Sequence, residues 1–153
     1  MDAKFSQRIK DVLSFSKEEA IRLGNNEIAP EHMLLGILRE GEGVAIDILV
    51  SLGANLYQLK KDIEAIISPT GPIKVTDTDN VPLLKTSERI LKLVYLEAKS
   101  LKKSTIDTGH LLLAIMKDEN TPVSRVLFDN SIDYEKVRKE LLNEQGLDME
   151  QLL

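Results

Sequence analysis

The 153-residue chain has no cysteine and no tryptophan, and phenylalanine and tyrosine contribute three residues each. Without cysteine there can be no disulfide and no thiolate metal site, which suits a reducing compartment. No apolar run approaches the length of a membrane span, and the opening "MDAKFSQRIKD" lacks the apolar stretch of a secretory signal. A cytoplasmic protein is expected, with no membrane partner. Twenty Lys+Arg against twenty-five Asp+Glu leave a net charge of −5, which opposes attraction to a phosphate backbone and argues against nucleic acid as partner. With aromatics at 4%, the core must come from Leu, Ile, Val and Ala, residues that also suit helices. The expected fold class is all-α.

Catalytic signatures are missing too. There is no G-x-x-x-x-G-K-[ST] phosphate loop, no G-x-G-x-x-G after a strand and no G-x-S-x-G elbow. Two histidines, with no HExxH and no cysteine, make a poor zinc set.

What is present is helical periodicity. Phe5, Ile9, Val12, Leu13, Ala20 and Leu23 recur at three- and four-residue spacing, which predicts an amphipathic helix capped by Ser6 and stopped by Gly24-Asn25-Asn26. A second helix starts with Ala29 at the cap, Pro30 at the first position, and Glu31 and His32 in the first turn. Its Met33, Leu34, Leu35, Ile37 and Leu38 are apolar nearly all round, so it should be central. "VAIDILVSLG" and "LYQLKKDIEAII" supply a third and a fourth helix. Residues 68 to 82, "SPTGPIKVTDTDNVP", then break the pattern with three prolines and read as a linker.

Beyond the linker the plan returns. A constant shift of 78 residues superimposes Leu13 on Leu91, Glu19 on Glu97, Ala20 on Ala98, His32 on His110, Leu35 on Leu113 and Leu49 on Leu127. An internal duplication follows. The expectation is eight main helices in two four-helix repeats, residues 1–67 and 83–145, related by a pseudo-twofold with the second helices at the middle. The last stretch, "NEQGLDMEQLL", begins a new amphipathic piece and stops, as though truncated.

Glu31 has two readings: an acid stabilised by the dipole at a helix start, a contribution of about 0.3–1 kcal/mol, or a carboxylate available for binding. His32 and His110 read as inward-packed groups bonded to the preceding loop. "KSLKK", residues 99 to 103, reads as surface that complements a helix C-terminus.

The pattern "FSQR…VLSFSKEEAIRLGNNEIAPEHMLLGILREGEGVAIDIL", returning as "RILKLVYLEAKSL…IDTGHLLLAIMKDENTPVSRVL", closely resembles the Clp N-terminal repeat domain of ClpC- and ClpA-type Hsp100 (AAA+) unfoldases. The "REGEG" segment and "LGNN" turn favour the ClpC type. This resemblance implies a domain that binds adaptor proteins and protein substrates, performs no chemistry itself, and is joined by a tether beginning at residues 146–153 to ATPase modules. Those modules would bind ATP and Mg and work with a ClpP-type peptidase; no cofactor is expected in this chain. It also implies a phosphoarginine-type site in the first repeat. Glu31 would meet the guanidinium, with Ser6 and Arg8 of the "F-S-x-R" start kept alongside. In the second repeat the matching acid is lost to Gly109, and Leu83 to Thr86 replace "F-S-x-R". The alternatives are a stand-alone helical adaptor or scaffold built from the same repeats, and a small helical enzyme or nucleic-acid binder.

Overall fold

The computed structural model describes residues 4–70 and 81–144. The predicted tether and most of the linker therefore lie outside the described residues. Eight helices are seen among them: α1 (Gln7–Arg22), α2 (Pro30–Glu40), α3 (Val44–Ser51), α4 (Leu56–Ala65), α5 (Lys85–Ser100), α6 (Thr108–Met116), α7 (Pro122–Asp129) and α8 (Tyr134–Glu144). The all-α expectation holds, apart from two short strands, β1 (Lys4–Phe5) and β2 (Thr105–Ile106).

Local chemistry sets the helix ends. Ser6 is extended and its hydroxyl accepts from the Ile9 N–H at 3.1 Å, which satisfies one of the free donors of α1. Pro30 opens α2, where a missing N–H costs nothing, and Gly41 closes it at φ 77°, a left-handed conformation that glycine adopts without strain.

The pseudo-twofold appears in how the repeats exchange parts. β1 pairs in parallel with β2, Phe5 opposite Ile106, and an isolated bridge joins Ile28 to Leu83. The 78-residue shift carries Phe5 to Leu83 and Ile28 to Ile106. Each repeat thus starts its first helix from an extended segment paired with the loop that enters the other repeat's second helix. The third helices cross as well: α3 packs on α6 and α8, while α7 packs on α2 and α4. A single apolar cluster runs through both repeats, and its middle is α2 and α6. All nine residues of α6 are buried.

Where α1 crosses α2, the helices nearly touch. A Cβ placed on Gly36 would lie 2.6 Å from the Val12 carbonyl oxygen and 3.1 Å from the Ser16 nitrogen, and would also strike the Ser16 hydroxyl. The Ser16 hydroxyl is itself tied to the Val12 carbonyl at 2.8 Å, so backbone and side chain are both fixed. Gly36→Ala should therefore destabilise by about 1–3 kcal/mol despite the better helix propensity of alanine. The second repeat already carries Ala114 at this position. Urea melts of the variant test the spacing; an unchanged midpoint would mean that the helices stand further apart.

Candidate functional site

The start of α6 is built by residues from both repeats. The Ser6 hydroxyl donates to Asp107 Oδ1 at 3.0 Å, the Thr108 N–H donates to the same oxygen at 2.8 Å, and the Thr108 hydroxyl accepts from the Ala45 N–H at 3.2 Å. Arg8 lies close by. Its Cδ would meet a Cβ on Gly43 at 2.6 Å, and that same Cβ would be 3.4 Å from the Thr108 hydroxyl. The Arg8 guanidinium bonds to Glu40 Oε2 at 3.0 Å and faces Glu42 at 3.5 Å. These bonds, that to Glu40 foremost, raise its pKa further. Ser6 thus stands beside Asp107, and Arg8 beside Gly43 and Thr108; Asp107 in turn borders a pocket of about 200 Å³ that Val44, Lys103, Gly109 and His110 also line.

Glu31 is elsewhere. It occupies the first turn of α2, whereas Glu40, the partner of Arg8, is the last residue of that helix. Nine residues of helix rise separate them, roughly 13 Å. The neighbour of the α2 start is instead the start of α5: the Leu84 N–H donates to the Ile28 carbonyl at 3.0 Å and the Ser87 hydroxyl to the same oxygen at 2.7 Å. Burial raises the pKa of the half-buried Glu31 carboxyl, opposed by its own backbone N–H. No other side chain pairs with it among the described residues.

The structure does not bring Glu31 together with Ser6 and Arg8. The strand pair carries the start of α1 across to the other repeat, so Ser6 and Arg8 lie by Asp107 and Thr108, whereas Glu31 follows Ile28, whose carbonyl accepts from Leu84 and Ser87.

Both histidines are structural, as the sequence suggests. His32 is 2% exposed; its Nδ1 accepts from the Ala29 N–H at 2.8 Å and its Nε2 lies 2.8 Å from Asn25 Oδ1. That arrangement places the single proton on Nε2. In the second repeat His110 Nδ1 accepts from the Asp107 N–H at 3.0 Å, but Lys103 replaces Asn25 and the buried Nε2 has no hydrogen-bond partner among the described residues. Desolvation lowers both pKa values to about 4, opposed by Glu19 at His32 and by Asp107 at His110, where Lys103 adds to the lowering.

Sequence reasoning gave no role to Glu19 and Glu97, although the shift superimposes them. Both are buried, at 4% and 6% exposure. The recurrence of an acid immediately before a buried alanine was the available signal. Arg22 Nε reaches Glu19 Oε2 at 2.8 Å and Arg39 faces it at 3.5 Å, whereas the Tyr134 hydroxyl meets both oxygens of Glu97 at 3.0 and 2.9 Å. Among the described residues no group of three or more His, Cys, Asp or Glu could hold a metal, and no helix is long and apolar enough to cross a membrane.

The family model for the Clp repeat (R) N-terminal domain matches residues 4–130. The chain belongs to the Clp repeat N-terminal domain family. Over 95% of its length it is 33% identical to the chaperone protein ClpB of Oceanobacillus iheyensis and 32% identical to the negative regulator of genetic competence ClpC/MecB of Bacillus subtilis. It spans only 18% of the length of either relative. The N-domain of ClpV from Vibrio cholerae has the same fold, with a TM-score of 0.78 at 18% identity over 96% of this chain and 88% of that one. So does a ClpV N-domain in complex with a VipB peptide, with a TM-score of 0.67 at 17% identity over 93% and 91% of the two chains.

Proposed function

We propose that this Clp repeat domain binds adaptors and protein substrates as the N-terminal part of a ClpC-type AAA+ unfoldase that delivers proteins to a ClpP-type peptidase. The observation that carries the reading is the match of both repeats to N-terminal regions of Clp ATPases, supported by a fold that in ClpV accompanies a bound peptide. The chain holds no phosphate loop of its own, so ATP and Mg belong to other modules of the longer protein and the domain itself carries out no reaction. Its setting is the cytoplasm, and neither nucleic acid nor membrane is a partner. The test is removal of this domain from the longer protein. Degradation of adaptor-delivered clients should fall while basal ATP hydrolysis persists; undiminished degradation would overturn the assignment.

For phosphoarginine the split geometry makes a sharper expectation. Glu31 supplies a carboxylate able to accept paired hydrogen bonds from a guanidinium, but Leu84 and Thr86 stand where the phosphate partners would be. The protein should bind free phosphoarginine weakly and at no more than one site. Glu31→Ala should cost about 1.5–3 kcal/mol of that affinity. Gly109→Glu should create a stronger site, because it restores a carboxylate two residues after Asp107, which bonds to Ser6, and the atoms nearest its added Cβ are side-chain atoms of Leu141 and Val44 at 3.0 and 3.2 Å. Titration calorimetry decides. Two equivalent sites in the wild type would refute the split, and no binding by any variant would leave recognition to surfaces away from the helix starts.

A further inference from the structure

The two repeats bury an acid at the same position and neutralise it differently, and the difference reaches the surface. Glu19 is countered by Arg22 and Arg39, which also pair with Glu64 and Glu18, and the adjoining groove of about 530 Å³ carries Lys60 as well, a cation with no ion pair among the described residues. Glu97 is instead satisfied by the Tyr134 phenol. Burial first, then the bond to Glu97, pushes that phenol up to about 12, so it remains a neutral donor.

The groove of the second repeat, about 420 Å³, lies where the end of α6, α7 and the start of α8 meet. The 78-residue shift carries Leu38 to Met116, Leu56 to Tyr134 and Tyr57 to Glu135, so it overlaps the groove of the first repeat. Its exposed apolar surface is that of Phe128, at 67%; Met116 and Ile132 also line it but are 3% and 0% exposed. Its lining holds three acids, Glu119, Asp133 and Glu135, and one cation, Arg125, with Lys117 and Lys136 at the rim. Asp133 faces Lys136 at 4.0 Å, while Glu119 and Glu135 have no ion pair among the described residues. A cation already sits at this edge: the Lys117 ammonium lies 4.7 Å above the Tyr134 ring.

We propose that the α6–α7–α8 groove docks a cationic segment of a partner protein, with one apolar side chain against Phe128 and flanking arginine or lysine facing Glu119 and Glu135. This rests on the reading of the domain as a protein-binding module and names the chemistry of one surface. An exposed aromatic in a concave patch supplies the anchor, and free carboxylates on the rim select sign and speed encounter. The groove of the first repeat is less suited to the same segment, because Glu18, Glu19 and Glu64 are already paired with Arg22 and Arg39 and Lys60 would meet a like charge.

The test uses the 153-residue chain and two short fluorescent peptides, one with a leucine anchor flanked by arginines and one with the same anchor flanked by glutamates. Anisotropy should show the arginine peptide binding at least about tenfold more tightly, with affinity falling as salt rises. Phe128→Ser should weaken it about tenfold or more, and because that side chain is mostly exposed the melting midpoint should hold. Glu119→Lys combined with Glu135→Lys should invert the preference. Equal or tighter binding of the glutamate peptide, no binding of the arginine peptide, or indifference to both sets of substitutions would overturn the proposal. Loss of client delivery on removing the domain, with the groove variants unaffected, would keep the protein-binding reading and discard only this groove.

Discussion

Acidifying the protein from pH 7 to pH 4 should remove about 3 kcal/mol of stability for each of its two histidines. Both rings are buried, and desolvation holds their pKa near 4 in the folded chain against 6.5 for the free side chain. Above pH 6.5 both states are neutral and no stability is lost. Between 6.5 and 4 the unfolded chain binds protons that the folded one refuses, so stability falls; below about 4 the slope of this contribution vanishes. Glu31 acts in the opposite sense: its raised pKa makes the folded state the better proton acceptor, which softens the loss. Urea melts between pH 7 and pH 4 measure the effect, with His32→Gln and His110→Gln as controls. Glutamine at the third helical position keeps an acceptor for the cap N–H without titrating. The double variant should lose most of the slope between pH 6.5 and 5. An equally steep double variant would place the acid sensitivity in the carboxylates.

Much of the fold is legible because it is written in local chemistry and in repetition. Ser6, Pro30 and Gly41 mark helix ends by the hydrogen bonds they supply or omit, and the constant shift from Leu13–Leu91 to Leu49–Leu127 announces two similar units. Less legible is what joins them. Lys4–Phe5 and Thr105–Ile106 are two residues each, too short to show an alternating pattern, so a parallel strand pair across the whole domain leaves no trace in periodicity. That pair also decides the site. The resemblance groups Ser6 and Arg8 with Glu31, but strand pairing seats the start of α1 against Asp107 and leaves the start of α2 beside α5. The buried pair Glu19 and Glu97 was visible as a coincidence of the repeat. Its consequence is hidden, because Arg22 shifts to Ser100 and Tyr134 to Leu56, while Arg39 shifts to Lys117, which lies over the Tyr134 ring.

Truncating the core at its middle should show whether the two repeats are one cooperative body. Leu35→Ala and Leu113→Ala are matching positions on α2 and α6, 1% and 0% exposed. Each should cost about 2–5 kcal/mol, the lost transfer free energy plus the cavity left behind. The two should not cost the same. Leu35 borders the groove that holds Arg22 and Arg39, where neighbours or water can fill the space, whereas Leu113 lies in a helix buried at every residue. Leu113→Ala should therefore fall towards the upper end of the range and Leu35→Ala towards the lower. Denaturant melts give both values, and losses under about 1 kcal/mol would remove α2 and α6 from the centre of the fold. Because one apolar cluster threads both repeats and α3 and α7 cross between them, either truncation should lower a single transition without changing its slope with denaturant. A second transition in the Leu113→Ala melt would mean that the first repeat stands without the second, which the exchanged strands and helices forbid.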